Sequence, residues 1–206
     1  MPANYDHIAP VYDLLSRVVF GRQIEAAQVC LLKFIPPHSR ILIVGGGTGW
    51  ILEKLAEEHG LGLKIDYVES SARMITLSRK RDIKDNTVNF INLPIEKYMS
   101  ENLYDVIITP FIFDNFRLGK IQMVFDKLDA RLMRGGMWLH ADFVYDKKKP
   151  SLWQKLLLKI MYFFFRLTAG IETQELIAMD GYFITYLKEF EAYHYAGFIR
   201  SAVYRK

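Results

Sequence analysis

The sequence predicts an α/β fold, a doubly wound and mostly parallel sheet with helices on both faces and an antiparallel last strand. Three observations predict it. Short β-rich apolar runs alternate with segments of helical periodicity between Ile41 and Phe143. The first of these runs ends directly in Gly45-Gly46-Gly47-Thr48-Gly49. The chain closes with two aromatic and β-branched runs parted only by Ala196-Gly197 and a neighbour or two, which is hairpin spacing.

Ile41 to Val44 reads as the first strand, and after the glycines Trp50, Ile51, Leu52, Leu55 and Ala56 recur at helical spacing. Leu63 to Val68 reads as a second strand ending at Glu69, with Ser70 and Ser71 capping a helix that carries Met74, Ile75 and Leu77. Val88 to Leu93 is the expected third strand and Asp105 to Thr109 the fourth. A helix is expected over Leu118 to Met133, closed by Arg134-Gly135-Gly136 because glycine suits a helix C-terminus. Met137 to Phe143 is the fifth strand. Such alternation calls for a parallel sheet covered on both faces, since each crossover helix packs back onto it. Tyr182 to Tyr193 and Phe198 to Tyr204 complete the sheet as an antiparallel pair. Lys147-Lys148-Lys149-Pro150 marks a break after the fifth strand, and Ser151 to Gly170 reads as an insertion.

The totals agree with one domain over residues 1–206: the chain is 206 residues long and 51% apolar, enough for one substantial core. Lys and Arg number 27 against 23 for Asp and Glu, and the resulting +4 is too small a bias to imply nucleic-acid binding. Cys30 is the only cysteine, which excludes an internal disulfide and a cysteine-based zinc cluster and fits a reducing compartment. No metal site is expected. The opening MPANYDHIAPVYD lacks the apolar run and cleavage site of a secretory signal. A cytoplasmic protein is the expectation.

A strand that ends in glycines and opens a helix brings backbone close to a ligand and aims the first helical N–H groups at it. The dinucleotide fingerprint needs a third glycine at position 50, where Trp50 stands, so the pattern here is G-x-G-x-G over Gly45, Gly47 and Gly49. A phosphate-gripping loop with Lys followed by Ser or Thr is absent from the turn. Glu69 lies about 20 residues further on, at a strand end, where an acid accepts hydrogen bonds from both ribose hydroxyls. Turn and acid together point to an adenosyl ligand.

These residues resemble the class I S-adenosylmethionine-dependent methyltransferases, over nearly the whole chain. ILIVGGGTGW is similar to the family's first motif, YVESSARMI to the segment with the ribose-binding acid, YDVIITPFIFDNF to the fourth strand and its loop, and LMRGGMWLHADF to the fifth-strand motif. YDHIAPVYDLL is similar to the opening of the quinone, sterol and other small-molecule methyltransferases. The resemblance implies a Rossmann-like, seven-stranded sheet with its last strand antiparallel. It implies S-adenosyl-L-methionine as cofactor, with S-adenosyl-L-homocysteine as product. Gly45, Gly46, Gly47, Thr48 and Gly49 then lie under the methionine part, Glu69 holds the ribose, and Ser70 and Met74 flank the adenosine. Leu93 and Pro94 stand where the family often has an adenine-binding acid, so backbone groups and apolar packing are expected to hold the base there. Residues 1–35 form a helical cap over the site, bringing Tyr5 to the cofactor and Tyr12 to the acceptor, with His7 as a further lid residue.

Methyl transfer from a sulfonium needs positioning and exclusion of water, and a base only for a protonated acceptor. In an open parallel sheet, ligands bind outside the carboxyl ends of the strands. That selects Thr109, on the cofactor side, together with Phe111, Phe113 and Asn115 as acceptor-binding residues. It also selects His140 and Asp142, which alternate on one strand and share a side of the sheet, as candidate catalytic residues. Asp114 reads more naturally as a helix cap, and His194 as a structural residue of the hairpin.

Leu152 to Leu167 reads as an amphipathic helix. At about 100° per residue, Lys155, Lys159, Tyr162 and Arg166 share one face, and Leu156, Leu157, Ile160, Met161, Phe164 and Leu167 the opposite one. Its cations interrupt any run long enough to cross a bilayer. Three uses fit it: a lid on an apolar acceptor pocket, a dimer contact, or, with Lys147 to Lys149, a peripheral membrane contact over 147–167. Lid packing is favoured, and the chain is a monomer or a homodimer.

The expected activity is methylation of a small, apolar or aromatic acceptor. Thr109-Pro110-Phe111-Ile112 lacks the polar residue and second proline of the nucleic-acid and amide methyltransferases, so nucleic acid is not an expected partner. Two rivals remain: a non-catalytic adenosylmethionine-binding sensor or scaffold of the same fold, and a nicotinamide-dependent oxidoreductase, disfavoured by Trp50 and the antiparallel ending.

Overall fold

The computed structural model describes residues 6–59, 62–144, 151–169 and 176–206. Tyr5 and Lys147 to Lys149 lie outside them. The described elements run α1 (Tyr12–Phe20), α2 (Gln23–Leu32), β1 (Arg40–Val44), α3 (Trp50–His59), β2 (Lys64–Glu69), α4 (Ala72–Ser78), β3 (Thr87–Asn92) and β4 (Tyr104–Pro110). They continue with α5 (Leu118–Asp129), β5 (Leu132–Phe143), α6 (Leu152–Ala169), β6 (Leu187–His194) and β7 (Ile199–Arg205). One seven-stranded sheet has the order β3-β2-β1-β4-β5-β7-β6. Strands β1 to β5 are parallel, and β7 runs antiparallel to both β5 and β6. The Rossmann-like fold is therefore the observed one, with its order reversing between β1 and β4, where the crevice opens.

Alternation along the central strands builds the two halves of the core. Ile41 and Ile43 of β1 join Leu55 of α3 and Leu31 of α2 on one face. Leu42 and Val44 join Phe125 of α5 and Trp138 of β5 on the other. A third cluster at the β5–β7 end packs Leu158, Met161 and Tyr162 of α6 against Phe20, Phe143 and Phe198.

Two boundaries and one helix face differ from expectation. The α5 helix stops at Asp129 rather than Met133, because Leu132 already pairs with Tyr104 as the start of β5. The glycines therefore serve a strand: Gly135 has φ of 76°, and a Cβ at Gly136 would lie 2.8 Å from the Leu132 side chain and 2.9 Å from the Met133 carbonyl oxygen. Tyr182 to Tyr186 forms turns instead of strand, since Phe183 is spent on covering the sheet, stacked 4.0 Å from the Tyr204 ring. The apolar stripe of α6 is also divided: Met161 is buried together with Tyr162 from the face expected to be polar, while Leu156, Ile160 and Leu167 face outward. The inner face follows the cluster around Phe20 and Phe143, and the outer one is left without cover.

Candidate functional site

The turn after β1 is shaped by what lies beneath it. Gly45, Gly47 and Gly49 have φ of 72°, 63° and 81°, in the left-handed region that disfavours side chains. Gly46 is required for another reason: a Cβ there would come within 2.4 Å of the Tyr67 ring, whose hydroxyl donates to the Gly47 carbonyl oxygen at 2.9 Å. At Gly49 it would meet Ser78 Cβ at 2.4 Å. The backbone is thus pressed close to α4 on one side and left bare on the other, which is the form a ligand cradle takes.

Glu69 closes the cradle from the end of β2. Its Oε2 accepts from the Gly47 N–H at 3.2 Å and its Oε1 from the Ser71 N–H at 2.8 Å. Burial pushes its carboxyl up from the ordinary value, opposed by those two N–H groups. A carboxylate so held keeps lone pairs aimed into the cleft. Ser71 caps α4, its Oγ accepting from the Met74 N–H at 3.1 Å.

The N-terminal residues are tied to this turn by a charge cluster that the sequence reading missed. Thr48 Oγ1 donates to Asp13 of α1 at 2.8 Å, and Arg81 lies 3.2 Å from Asp13 while its Nε donates to the Thr48 carbonyl oxygen at 2.9 Å. Asp6 accepts from Ser71 Oγ at 2.6 Å and from the Arg73 N–H at 3.1 Å. The acids of the YDHIAPVYD stretch were the available clue.

Two cavities meet above the strand ends. The first is an open cleft of about 1220 Å³, mouth included, over Gly45, Gly46, Gly47 and Thr48; Glu69, Ser70, Met74, Leu93 and Pro94 also line it. Gly49 sits under the turn and Thr109 is fully buried, engaged with the Trp138 indole N–H at 2.9 Å. The second cavity, about 940 Å³ with its mouth, is walled by apolar and aromatic side chains of α1, α2, α6 and Phe143, with Asp114 its one charged residue among the described residues. Tyr12, Ser16, Ile24, Phe111 and Asn115 belong to both. Phe111 has φ of 51°, a strained conformation for a residue with a side chain, and its N–H donates to the Ala141 carbonyl oxygen at 2.7 Å. Burial, then the acids Asp114, Glu69 and Asp13, hold the Tyr12 phenol protonated.

Several expected acceptor residues stand elsewhere. Phe113 is buried in the core, its ring 5.7 Å from His140 and 6.4 Å from Trp138. His140 shares its side of β5 with Asp142, as expected, but that side lies beneath Phe113 and Phe183, so His140 lines neither cavity. Burial, then Arg200, pushes its pKa down to about 3, keeping it neutral. Asp142 is buried too, accepting from the Phe143 N–H at 2.8 Å and from the Phe113 and Asp114 backbone. Burial pushes its pKa up to about 7 despite these bonds. Asp114 is no cap for α5, whose N-cap is Arg117. Burial, then the neighbouring Asp142, pushes the Asp114 carboxyl well up. His7 is exposed and outside both cavities, and His194 lies 3.1 Å from Ser201 Oγ in the hairpin.

A bare glycine turn with a strand-end acid, placed where the strand order of a doubly wound sheet reverses, defines the Rossmann-like nucleotide-cradle class. Comparisons narrow it. Residues 41–136 match a family model described as a methyltransferase domain. A malonyl-[acyl-carrier protein] O-methyltransferase of Ilyobacter polytropus is 33% identical over 106 residues, 52% of this chain and 40% of that protein, so the chain spans less than half the length of this relative. Among solved structures, the N-methyltransferase NodS of Bradyrhizobium japonicum, in complex with S-adenosyl-L-homocysteine, is 13% identical with a TM-score of 0.68, covering 91% of this chain and 87% of NodS. The mitomycin 7-O-methyltransferase MmcR has a TM-score of 0.70 at 13% identity, covering 96% of this chain and 57% of MmcR. Over residues 41–136 the chain is similar to methyltransferase domains, and its likeness to the solved structures shows a shared fold.

Proposed function

We propose that the chain transfers a methyl group from S-adenosylmethionine to a small, apolar or aromatic acceptor, with cofactor in the first cavity and acceptor in the second. The observation that carries this reading is the shared wall: Tyr12, Phe111 and Asn115 face both spaces, so ligands in the two would abut at their side chains.

The cradle fits the cofactor because its backbone runs along the cleft with no room for a Cβ at Gly46, where the Tyr67 ring lies beneath it. Gly45 to Thr48 would support the amino-acid part, Glu69 would accept from the ribose hydroxyls, and Ser70, Met74, Leu93 and Pro94 would flank the base. When bound, the sulfonium supplies a methyl already electrophilic enough for in-line displacement. Residues of α1, pinned by Asp13 and Arg81, and of α2 act as the cap that excludes water, and α6 forms the second cavity's outer wall. Asp114 replaces His140 as the group facing the acceptor, with Asp142 behind it: a carboxyl pushed up by burial and then by its neighbour suits a hydroxyl or amine that must be held and relieved of a proton. The small excess charge and the Thr109-Pro110-Phe111-Ile112 loop favour a small molecule over nucleic acid.

Calorimetric titration with S-adenosylmethionine, followed by labelled methyl transfer into a small-metabolite extract, tests the proposal. Micromolar binding and label in an apolar product are expected. Binding of a nicotinamide cofactor without any adenosyl ligand would overturn it, and adenosyl binding without transfer would leave a sensor or scaffold.

A further inference from the structure

The outer face of α6 has a feature that the acceptor cavity does not use. At about 100° per residue, Leu152, Phe163, Leu156, Leu167, Ile160 and Trp153 fall within about 100° of arc, and Lys155, Arg166 and Lys159 occupy the edge beside them. This face is bare: Leu152 is 83% exposed, Leu167 71% and Phe163 64%. An uninterrupted apolar stripe on that scale marks an interaction surface rather than a solvated one.

The charge beside the stripe selects the occupant. No acid occurs in α6, and none of its three cations forms an ion pair among the described residues. A second copy laid on this face would bring like-charged edges together. An apolar partner would leave the cations unanswered. An anionic lipid surface meets both demands: the stripe enters the boundary between headgroups and acyl chains, the lysine and arginine stems run along it, and their heads meet the lipid charges. Among the described residues no helix is long and apolar enough to cross a membrane, so α6 would lie on the bilayer.

We propose that the outer face of α6 docks on an anionic lipid bilayer. Ile160 belongs both to this face and to the wall of the second cavity. On the proposed reading of that cavity, the acceptor enters from the lipid side. Docking itself requires no methyl transfer, so the two proposals fail separately.

Co-sedimentation of the full chain with phosphatidylcholine vesicles, alone or mixed with phosphatidylglycerol, tests the docking. Binding is expected only with the anionic vesicles, weakening as salt rises. Lys155→Glu with Lys159→Glu and Arg166→Glu should lower partitioning by about a hundredfold or more. Leu156→Ser with Phe163→Ser and Leu167→Ser should lower it comparably. Both variants change exposed residues that line neither cavity, and unaltered circular dichroism and adenosylmethionine affinity will show that they fold. A wild type that stays in solution with anionic vesicles overturns the proposal. So does equal binding to neutral vesicles that the charge reversal leaves intact. A dimer seen by light scattering, abolished by the serine variant and unaccompanied by vesicle binding, would assign the face to a second copy instead.

Discussion

The two cavities that meet at Phe111 are made of different materials. The floor of the first is backbone, a turn bare of side chains with a carboxylate held by two N–H groups at the ends of β1 and β2, and side chains such as Met74, Phe111 and Phe116 stand around it. The second is walled by side chains drawn from α1, α2, the turn after β4, the end of β5 and α6. A backbone wall admits few substitutions and suits one invariant ligand. A side-chain wall can be recut by single changes, so the half proposed for the acceptor can vary while the half proposed for the cofactor stays the same.

Gly46→Val is expected to have the largest effect and to fall on the first cavity alone. The new Cβ would sit 2.4 Å from a Tyr67 ring that is itself fully buried and bonded to Gly47. Overpacking of this kind costs about 1–3 kcal/mol or more, and adenosylmethionine binding should be lost in calorimetry along with a fall in melting temperature. If binding survives, the turn does not form the cradle.

The acid pair lies at and behind the wall of the second cavity, and pH should report it. A carboxyl whose pKa in the fold is about 7, against an ordinary 3.8, holds its proton more tightly folded than unfolded. Its contribution is then greatest below pH about 4 and is lost as the pH rises towards 7, amounting to a few kcal/mol. Asp142→Asn keeps an oxygen for the Phe143 N–H and removes the charge. Chemical denaturation from pH 4 to pH 8 should show wild-type stability falling relative to this variant. Parallel curves would mean that Asp142 titrates normally.

What was legible in the sequence divides along the same line. Gly45 to Gly49 and Glu69 are a local signature: strand, turn, helix and next strand end lie within one stretch, and each residue type has a steric or hydrogen-bonding reason to be there. The second cavity gathers residues from Tyr12 to Phe165, and nothing local orders them. The periodicity of α6 was correct as helix but not as face, because apolar residues occupy most of its circumference and tertiary packing chose Tyr162 for the interior. His140 was misplaced through Phe183: read as strand, that residue could not be seen as the ring covering His140. Asp13 and Arg81, 68 residues apart, could be paired only by the fold.

Glu69→Ala should fall between these extremes. Removing the acid leaves the Gly47 and Ser71 N–H groups without their acceptor and removes the group proposed to hold the ribose. Charge-assisted hydrogen bonds of this kind contribute about 1.5–3 kcal/mol, so the adenosylmethionine dissociation constant should rise about tenfold to a hundredfold. Labelled-acceptor binding, once an acceptor is known, should change little. An unchanged cofactor affinity would remove Glu69 from the ribose role and leave the backbone to define the first cavity by itself.

The smallest effect should come from the side-chain wall. Phe164 lines the second cavity from α6 without touching the first, and its ring packs 5.3 Å from Phe165. Being only partly buried, it should cost less than a core phenylalanine when truncated. Phe164→Ala should leave the cofactor dissociation constant within about twofold and raise the acceptor KM about tenfold, the equivalent of a small apolar contact. The split between the two constants is the informative readout. Were both to worsen together, α6 would be bracing the cradle as well, and the division between a backbone-floored and a side-chain-built cavity would have to be redrawn around Tyr12, which borders both spaces and stands 6.4 Å from Phe165.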